Sequence, residues 1–161
     1  MAKNNAVGTQ SHPDFAHECK IRDFYASKLH ELRPSEKVSK KEVRYPTSLV
    51  RADLRTIDDR NVIREWEFKL LADYKSIGQI LAYIAQAKLQ HGLLRPILPV
   101  IAAFSFPEEI KTAVYVNNLG IELVNIPPQF RRAGGIPDFR APRNQIPLIP
   151  RTPLVRKKGH I

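Results

Sequence analysis

The feature that most constrains this chain is a pair of strand-like segments separated by a polar turn. Residues 48–57 and 62–70 are rich in β-branched and aromatic side chains, which favour strands. Between them, residues 58–61 have the sequence Asp-Asp-Arg-Asn, which is typical of a turn. We therefore predict an antiparallel β-hairpin, in which the turn decides which residues of the two strands face each other.

The predicted register places two acidic residues opposite each other. If Ile57 pairs with Ile63 next to the turn, Asp53 lies opposite Glu67. Like charges in such a pair destabilise a sheet by about 0.2–1 kcal/mol, so the pair usually has a compensating cation. Side chains alternate along a strand, so one face carries Asp53, Glu65, Glu67 and Lys69 and the other carries the core candidates Trp66 and Phe68.

The remaining elements are predicted from apolar periodicity and from the positions of proline and glycine. Before the hairpin we expect a helix at 14–32, a solvated lysine-rich loop at 35–41 and a short edge strand at 42–45. After the hairpin we expect a helix at 72–90, a buried strand at 96–106, a helix at 107–118 and a strand at 121–126. The order αβββαβαβ indicates an α/β fold.

Both ends of the chain are expected to lie outside the folded core. Residues 1–10 are polar and without periodicity, and Ser11 is a candidate cap for the first helix. Residues 131–161 contain eight basic residues and one acidic residue, so they carry +7 of the net charge of +10. We predict a domain at 11–130 followed by a disordered, basic, proline-rich tail. The tail is either an arm that follows a phosphate backbone or a solubilising terminus without a partner.

The composition limits which metals the chain can bind and in which cellular compartment it is expected. The single cysteine, Cys19, excludes an intrachain disulfide and a cysteine-rich zinc site, so a hard metal with oxygen ligands is expected. The amino-terminal residues lack the apolar run of a signal peptide, and no segment approaches the ~18 apolar residues of a membrane helix. We expect a soluble, cytoplasmic protein without a membrane partner.

The charged face of the hairpin carries the residue types that phosphodiester hydrolysis requires. The reaction places negative charge on phosphorus, and Mg²⁺ held by carboxylates polarises the phosphate and acidifies a bound water. Asp53 and Glu67 are the candidate metal ligands. Lys69 lies on the same strand face, where it can position water or offset charge. Mg²⁺ is the expected cofactor, with Mn²⁺ as a substitute.

These residues resemble the motif of the PD-(D/E)xK nuclease superfamily, in which an acidic residue on one strand precedes an acidic-x-lysine tripeptide on the next. The matching residues are Asp53 and the tripeptide Glu67-Phe68-Lys69, although Ala52 stands where the motif has proline. The resemblance covers roughly residues 14–126. It implies a restriction-endonuclease-like core with a central mixed sheet flanked by helices.

The resemblance is greatest to the RecB and lambda-exonuclease-like subset of that superfamily. In that subset the helix after the tripeptide carries a glutamine and a tyrosine that face the active site. Gln79 and Tyr83 match them and share a helix face at four-residue spacing. Members of the superfamily often use a glutamate of the first helix as a further metal ligand, for which Glu18 is the candidate. The implied catalytic set is Asp53, Glu67, Lys69, Gln79 and Tyr83, and the implied metal ligands are Asp53, Glu67 and Glu18.

The expected function is therefore metal-dependent endonucleolytic hydrolysis of DNA. A nuclease of this size usually cuts both strands as a homodimer, although the sequence reveals no interface. The main alternative is a non-catalytic module on the same fold that binds nucleic acid or a protein. A toxin-like or assembly protein, in which the charged hairpin is purely structural, is a third class.

Each candidate residue also has a structural interpretation. The acidic face can be a solvated sheet surface, with Arg51, Arg55 and Lys69 as cross-strand partners. Gln79 and Tyr83 can be a partly buried polar pair, and a glutamate such as Glu18 is often only a helix-surface residue. The choice depends on whether these side chains converge, which the sequence does not decide.

Overall fold

The computed structural model describes residues 13–133 and 135–136. Its elements in chain order are α1 (Pro13–Ser27), α2 (Leu29–Leu32), β1 (Glu36–Arg44), β2 (Arg51–Asp58), β3 (Ile63–Leu71), α3 (Tyr74–His91), β4 (Ile97–Ser105), α4 (Glu108–Val116), β5 (Glu122–Asn125) and α5 (Phe130–Ala133). The predicted order αβββαβαβ is confirmed, with the first helix divided in two and a short helix added at the end.

The five strands form one mixed sheet with the order β1-β2-β3-β4-β5. The pairs β1–β2 and β2–β3 are antiparallel, whereas β3–β4 and β4–β5 are parallel. Parallel neighbours need a crossover connection, which α3 and α4 provide. The predicted mixed sheet flanked by helices is confirmed, and β3 is its central strand.

The predicted register of the β2–β3 hairpin is confirmed. Ile57 pairs with Ile63 next to the turn, and Arg55 pairs with Glu65 further along. Because the residues of one strand alternate between the two sheet faces, this register decides which charged side chains share a face.

Two apolar cores cover the two faces of the sheet. The first core includes Ile80 from α3 and Ile110 from α4. The second core, which α1 and α5 cover, includes Trp66 and Phe68, and both side chains are fully buried. The ring of Tyr25 in α1 lies 5.5 Å from each of these two aromatic rings, centroid to centroid. Glu65, Glu67 and Lys69 alternate with Trp66 and Phe68 along β3, so they project towards α3.

The predicted solvated loop at 35–41 is wrong, because most of these residues belong to β1. β1 is an edge strand in which only Glu36 and Val43 are buried, so its sequence lacks the alternation of a half-buried strand. Its pairing with β2 shifts register between Val38 and Lys40. Lysines and bulges are common devices that keep edge strands from pairing with other chains.

The predicted helix at 14–32 is interrupted at Lys28, which separates α1 from α2. Just before the interruption, the hydroxyl of Ser27 donates a hydrogen bond to the backbone carbonyl of Phe24 at 2.7 Å. Such local bonds from serine compete with the helical backbone pattern.

The folded domain extends past the predicted boundary at residue 130. Residues 130–133 form α5, where the sequence has no helical period, and both Phe130 and Ile136 are buried in the second core. The predicted leader at 1–10, the Ser11 cap and residues 137–161 of the predicted tail lie outside the described residues. Within 13–133 and 135–136, none of the helices has the length and apolar character needed to cross a membrane.

Candidate active site

The candidate site lies at the end of the β2–β3 hairpin that is remote from the turn. The pairing of β2 with β3 ends at Leu54 and Trp66. One residue further, a carboxylate oxygen of Asp53 (Oδ2) accepts a hydrogen bond from the backbone N–H of Phe68 at 2.8 Å. A side chain thus satisfies a backbone donor at the point where the strands separate. The bond holds Asp53 close enough for its charge to act on Glu67.

Glu67 is almost fully buried and is held at both carboxylate oxygens. The Tyr83 hydroxyl donates a hydrogen bond to Oε2 at 2.8 Å, and the Lys69 ammonium (Nζ) lies 2.9 Å from Oε1. Tyr83 belongs to α3, whose start is determined by a capping box between Asp73 and Ser76. The cap and the helix register together direct the tyrosine towards β3.

Lys69 lies between two carboxylates. Besides its contact with Glu67, its ammonium lies 3.4 Å from Oε2 of Glu18. Glu18 is on α1, so this ion pair joins the first helix to the central strand. The structure therefore brings Glu18, which only the family resemblance indicated, to the same site as the hairpin residues.

Gln79 lies one helical turn before Tyr83, and its amide nitrogen is 3.5 Å from the Tyr83 hydroxyl, at the limit of a hydrogen bond. Its amide oxygen is buried and has no hydrogen-bond partner among the residues that the structure describes. Buried polar atoms seldom lack a partner in a native protein, so this oxygen is available to a bound ligand.

These side chains all line one cavity of about 400 Å³. Its lining includes all the predicted site residues, namely Glu18, Asp53, Glu67, Lys69, Gln79 and Tyr83. It also includes residues that sequence reasoning missed, namely Phe15, Arg44, Leu49, Val50 and Arg51. Strand alternation offered a signal for Arg51, which lies two residues before Asp53. No comparable signal exists for Arg44, because its edge strand lacks alternation.

Burial and crowded negative charge perturb the site. Burial, with the charge of Asp53 adding to it, raises the pKa of Glu67 to about 7. Burial also raises the pKa of Asp53 and of Glu18. Burial opposes the charged form of Lys69, but the carboxylates, with Glu67 foremost, raise its pKa. Three carboxylates therefore share one ammonium, and a further cation would stabilise their ionised forms.

The donor atoms suit a hard divalent cation. Within the described part of the chain, no three His, Cys, Asp or Glu side chains form a ready-made metal cluster. Mg²⁺, however, is usually held by one or two carboxylates together with waters and substrate phosphate. Asp53 and Glu67 meet that requirement, and the unpartnered amide oxygen of Gln79 is a further hard donor in the same cavity.

Glu65, which alternation places on the same face, is not part of this site. A nitrogen of the Arg55 guanidinium (Nε) donates to Oε1 of Glu65 at 2.7 Å, and both side chains are buried. Another guanidinium nitrogen of Arg55 lies 2.9 Å from the ring of His91. The structural interpretation therefore holds for Glu65, although its ion pair is buried rather than solvated.

Neither a protein-family model nor a curated protein matches the chain. Solved structures with the same fold include a repair endonuclease from Pyrococcus abyssi, with a TM-score of 0.59 and 19% sequence identity. They also include EndoMS in a complex with dsDNA, with a TM-score of 0.57 and 16% identity. EndoMS in its apo form has a TM-score of 0.56 and 18% identity.

These likenesses cover 69% of this chain for the Pyrococcus protein and 70% for the EndoMS complex. The matched region makes up only 47% and 46% of those proteins, so this chain spans about half of their length. At such low identity the likeness shows a shared fold.

Proposed function

We propose that this protein is a divalent-metal-dependent endonuclease that hydrolyses phosphodiester bonds of DNA. The observation that carries the proposal is the convergence of Asp53, Glu67 and Lys69 in one cavity, on a fold shared with a repair endonuclease. The acidic-x-lysine pattern supports a site of the PD-(D/E)xK type. The proposed similarity to the RecB and lambda-exonuclease-like subset depends on Gln79 and Tyr83 alone.

In this proposal Asp53 and Glu67 hold the metal, with Glu18 as a further ligand. These carboxylates would hold Mg²⁺, or Mn²⁺ in its place, and the metal would supply Lewis acidity towards the phosphate and a bound water. The Lys69 ammonium orients the attacking water and offsets the negative charge that grows on the phosphate oxygens. Its contact with Glu67 at 2.9 Å keeps it charged and close to the reacting group.

Two further groups position the proposed metal ligands. The backbone N–H of Phe68 orients Asp53, and the Tyr83 hydroxyl orients Glu67. Groups that hold metal ligands in this way commonly affect metal affinity and activity by about 10–100-fold. The amide of Gln79 lies next to Tyr83 and contributes to the shell around metal or substrate.

DNA is the proposed substrate because one structural neighbour is a repair endonuclease and another, EndoMS, is in a complex with dsDNA. The net charge of +10 is consistent with a polyanionic partner. Cleavage of both strands calls for two sites, and the homodimer expected from the sequence is the simplest way to supply them.

The test is cleavage of supercoiled and linear DNA by the full chain with Mg²⁺, Mn²⁺ or EDTA. The wild type is compared with Glu67→Ala and Lys69→Ala. The matched controls are Glu108→Ala and Lys111→Ala, which disrupt an exposed ion pair of α4 outside the cavity. We expect metal-dependent cleavage that both site variants lose and both controls retain.

Two outcomes would contradict the proposal. Cleavage that persists in EDTA would show that the reaction does not require a divalent metal. Salt-sensitive DNA binding without cleavage under any metal would make the chain a binding module on this fold.

A further inference from the structure

Two arginines face each other at the rim of the candidate site. Arg44 of β1 and Arg51 of β2 are paired residues in the antiparallel register, and both line the cavity. Like charges directly opposite each other in a sheet are unfavourable. A pair of this kind therefore suggests an anionic partner that offsets the repulsion.

Arg51 is oriented by its neighbours, which occupy only part of its hydrogen-bonding capacity. Its guanidinium carbon lies 5.7 Å from the centre of the Phe15 ring, and Phe15 also lines the cavity. One of its nitrogens lies 3.4 Å from a carboxylate oxygen of Glu42, in a partly exposed ion pair. A guanidinium has five N–H donors, so this single contact leaves most of them available.

Arg44 is exposed at the same rim. Across residues 13–133 and 135–136, no hydrogen bond or ion pair to its side chain is present. Its guanidinium is therefore available to a ligand that approaches the cavity from solvent.

The charges of the cavity are separated by depth. Glu67, at its floor, is buried, and Asp53 lies beside it, whereas Arg44 at the rim is exposed. Arg51 precedes Asp53 by two residues, so their α-carbons are about 7 Å apart along one strand. An acidic floor repels a polyanion, so a substrate of phosphodiesters needs positive charge around that floor to be held there.

We propose that Arg44 and Arg51 form a subsite for the phosphate backbone of nucleic acid, next to the phosphate that is cleaved. The identity of this polyanion rests on the proposed nuclease function. Planar guanidinium groups suit phosphate oxygens because they donate two parallel hydrogen bonds. The pair positions the substrate and reads no base sequence.

The test measures binding of a labelled DNA duplex by fluorescence anisotropy, in EDTA and over a series of KCl concentrations. The wild type is compared with the double variant Arg44→Gln/Arg51→Gln. The control Arg60→Gln/Arg132→Gln removes the same charge from exposed arginines outside the cavity. Circular dichroism on all variants verifies that each is folded.

We expect the double variant to bind DNA on the order of tenfold more weakly for each arginine lost. The slope of log affinity against log salt should become shallower by about 2, because two phosphate contacts are lost. The control should change the slope much less. A second variant, Arg44→Lys/Arg51→Lys, should restore most of the slope, because it keeps both charges.

If the DNA affinity and the salt slope are unchanged in the double variant, this proposal is overturned. An acidic protein surface would then be the partner of the arginine pair. An equal loss in the control would overturn it too, since net charge alone would then explain binding. A wild type without DNA binding would also overturn it. If the wild type binds through the arginine pair but cleaves nothing with any metal, the nuclease function fails and the subsite stands.

Discussion

Glu65 and Glu67 lie two residues apart on β3, share one face of the sheet and are both almost fully buried. Burial raises the pKa of each to about 7. Their neighbours on β2 carry opposite charges: Arg55 pairs with Glu65, whereas the charge of Asp53 acts against ionisation of Glu67. A raised pKa therefore does not distinguish the structural carboxylate of Glu65 from the catalytic candidate Glu67. The charge of the neighbour on β2 does distinguish them.

The largest expected effect is on cleavage and follows from Glu67→Gln. This change removes the charge that the metal requires but keeps the shape of the side chain, so cleavage should fall on the order of 10³-fold. Stability should change by less than about 1 kcal/mol, because relief of the repulsion with Asp53 offsets the lost charge beside Lys69, which keeps its ion pair with Glu18. Single-turnover cleavage and urea unfolding measure the two effects. Near wild-type cleavage by this variant would exclude Glu67 from the site.

The same substitution at Glu65 should have the opposite result. Glu65→Gln leaves the Arg55 guanidinium buried without a counter-charge, which should destabilise the protein by about 3 kcal/mol. Cleavage per folded molecule should stay within about twofold of wild type. Urea unfolding tests the loss, and Arg55→Gln combined with Glu65→Gln should recover part of it. A cleavage defect without a stability defect would reverse the roles of the two glutamates.

A smaller effect is expected where Glu67 meets α3. Tyr83→Phe removes the hydrogen bond to Oε2 of Glu67, so the Mg²⁺ concentration for half-maximal cleavage should rise by about 10–100-fold. Tyr115→Phe, on the exposed side of α4, is the matched control and should change nothing. An unchanged Mg²⁺ requirement in Tyr83→Phe would show that the tyrosine has only a packing role.

The smallest effect is expected at His91, beside the Arg55–Glu65 pair. Burial and the positive charges of Arg55 and Arg95 lower its pKa below the ordinary value of 6.5. The unfolded chain thus binds this proton at higher pH than the folded one, so the stabilisation present above about pH 6.5 is lost as pH falls towards the folded pKa.

The wild-type Tm should therefore fall more between pH 7 and pH 5 than the Tm of His91→Gln. His30→Gln, at an exposed histidine of α2, is the control and should behave like the wild type. If the Tm of the wild type and that of His91→Gln depend equally on pH, His91 takes no part in the electrostatics of the Arg55–Glu65 pair. Because His91 is only partly buried, solvent screens its charge and the difference should be small.

The hairpin register and its consequences could be predicted because they are local. A turn and period-two alternation decide which residues of neighbouring strands share a face, and the observed pairing of Ile57 with Ile63 agrees. The same alternation assigned Trp66 and Phe68 to the core. Four-residue spacing likewise placed Gln79 and Tyr83 on one face of α3.

Elements stabilised mainly by distant partners escaped prediction. β1 is exposed along most of its length, so a lysine-rich strand had the composition of a loop. Only the end of β1 was predicted as a strand, at 42–45 and without a partner, so the pairing of Arg44 with Arg51 was missed. Similarly, α5 has no helical period of its own, and Phe130 is buried by contacts with α1, as in its ring contact with Phe24 at 4.7 Å.

By itself, the sequence determined the register of the hairpin, because backbone geometry leaves little choice once the turn is set. Only the tertiary structure decided which acid is neutralised, that Glu18 reaches Lys69 from α1, and that Tyr83 points at Glu67. The physical reason is the distance along the chain over which each effect acts. Strand and helix periods act over a few residues, whereas burial, ion pairing and cavity shape depend on how distant elements pack.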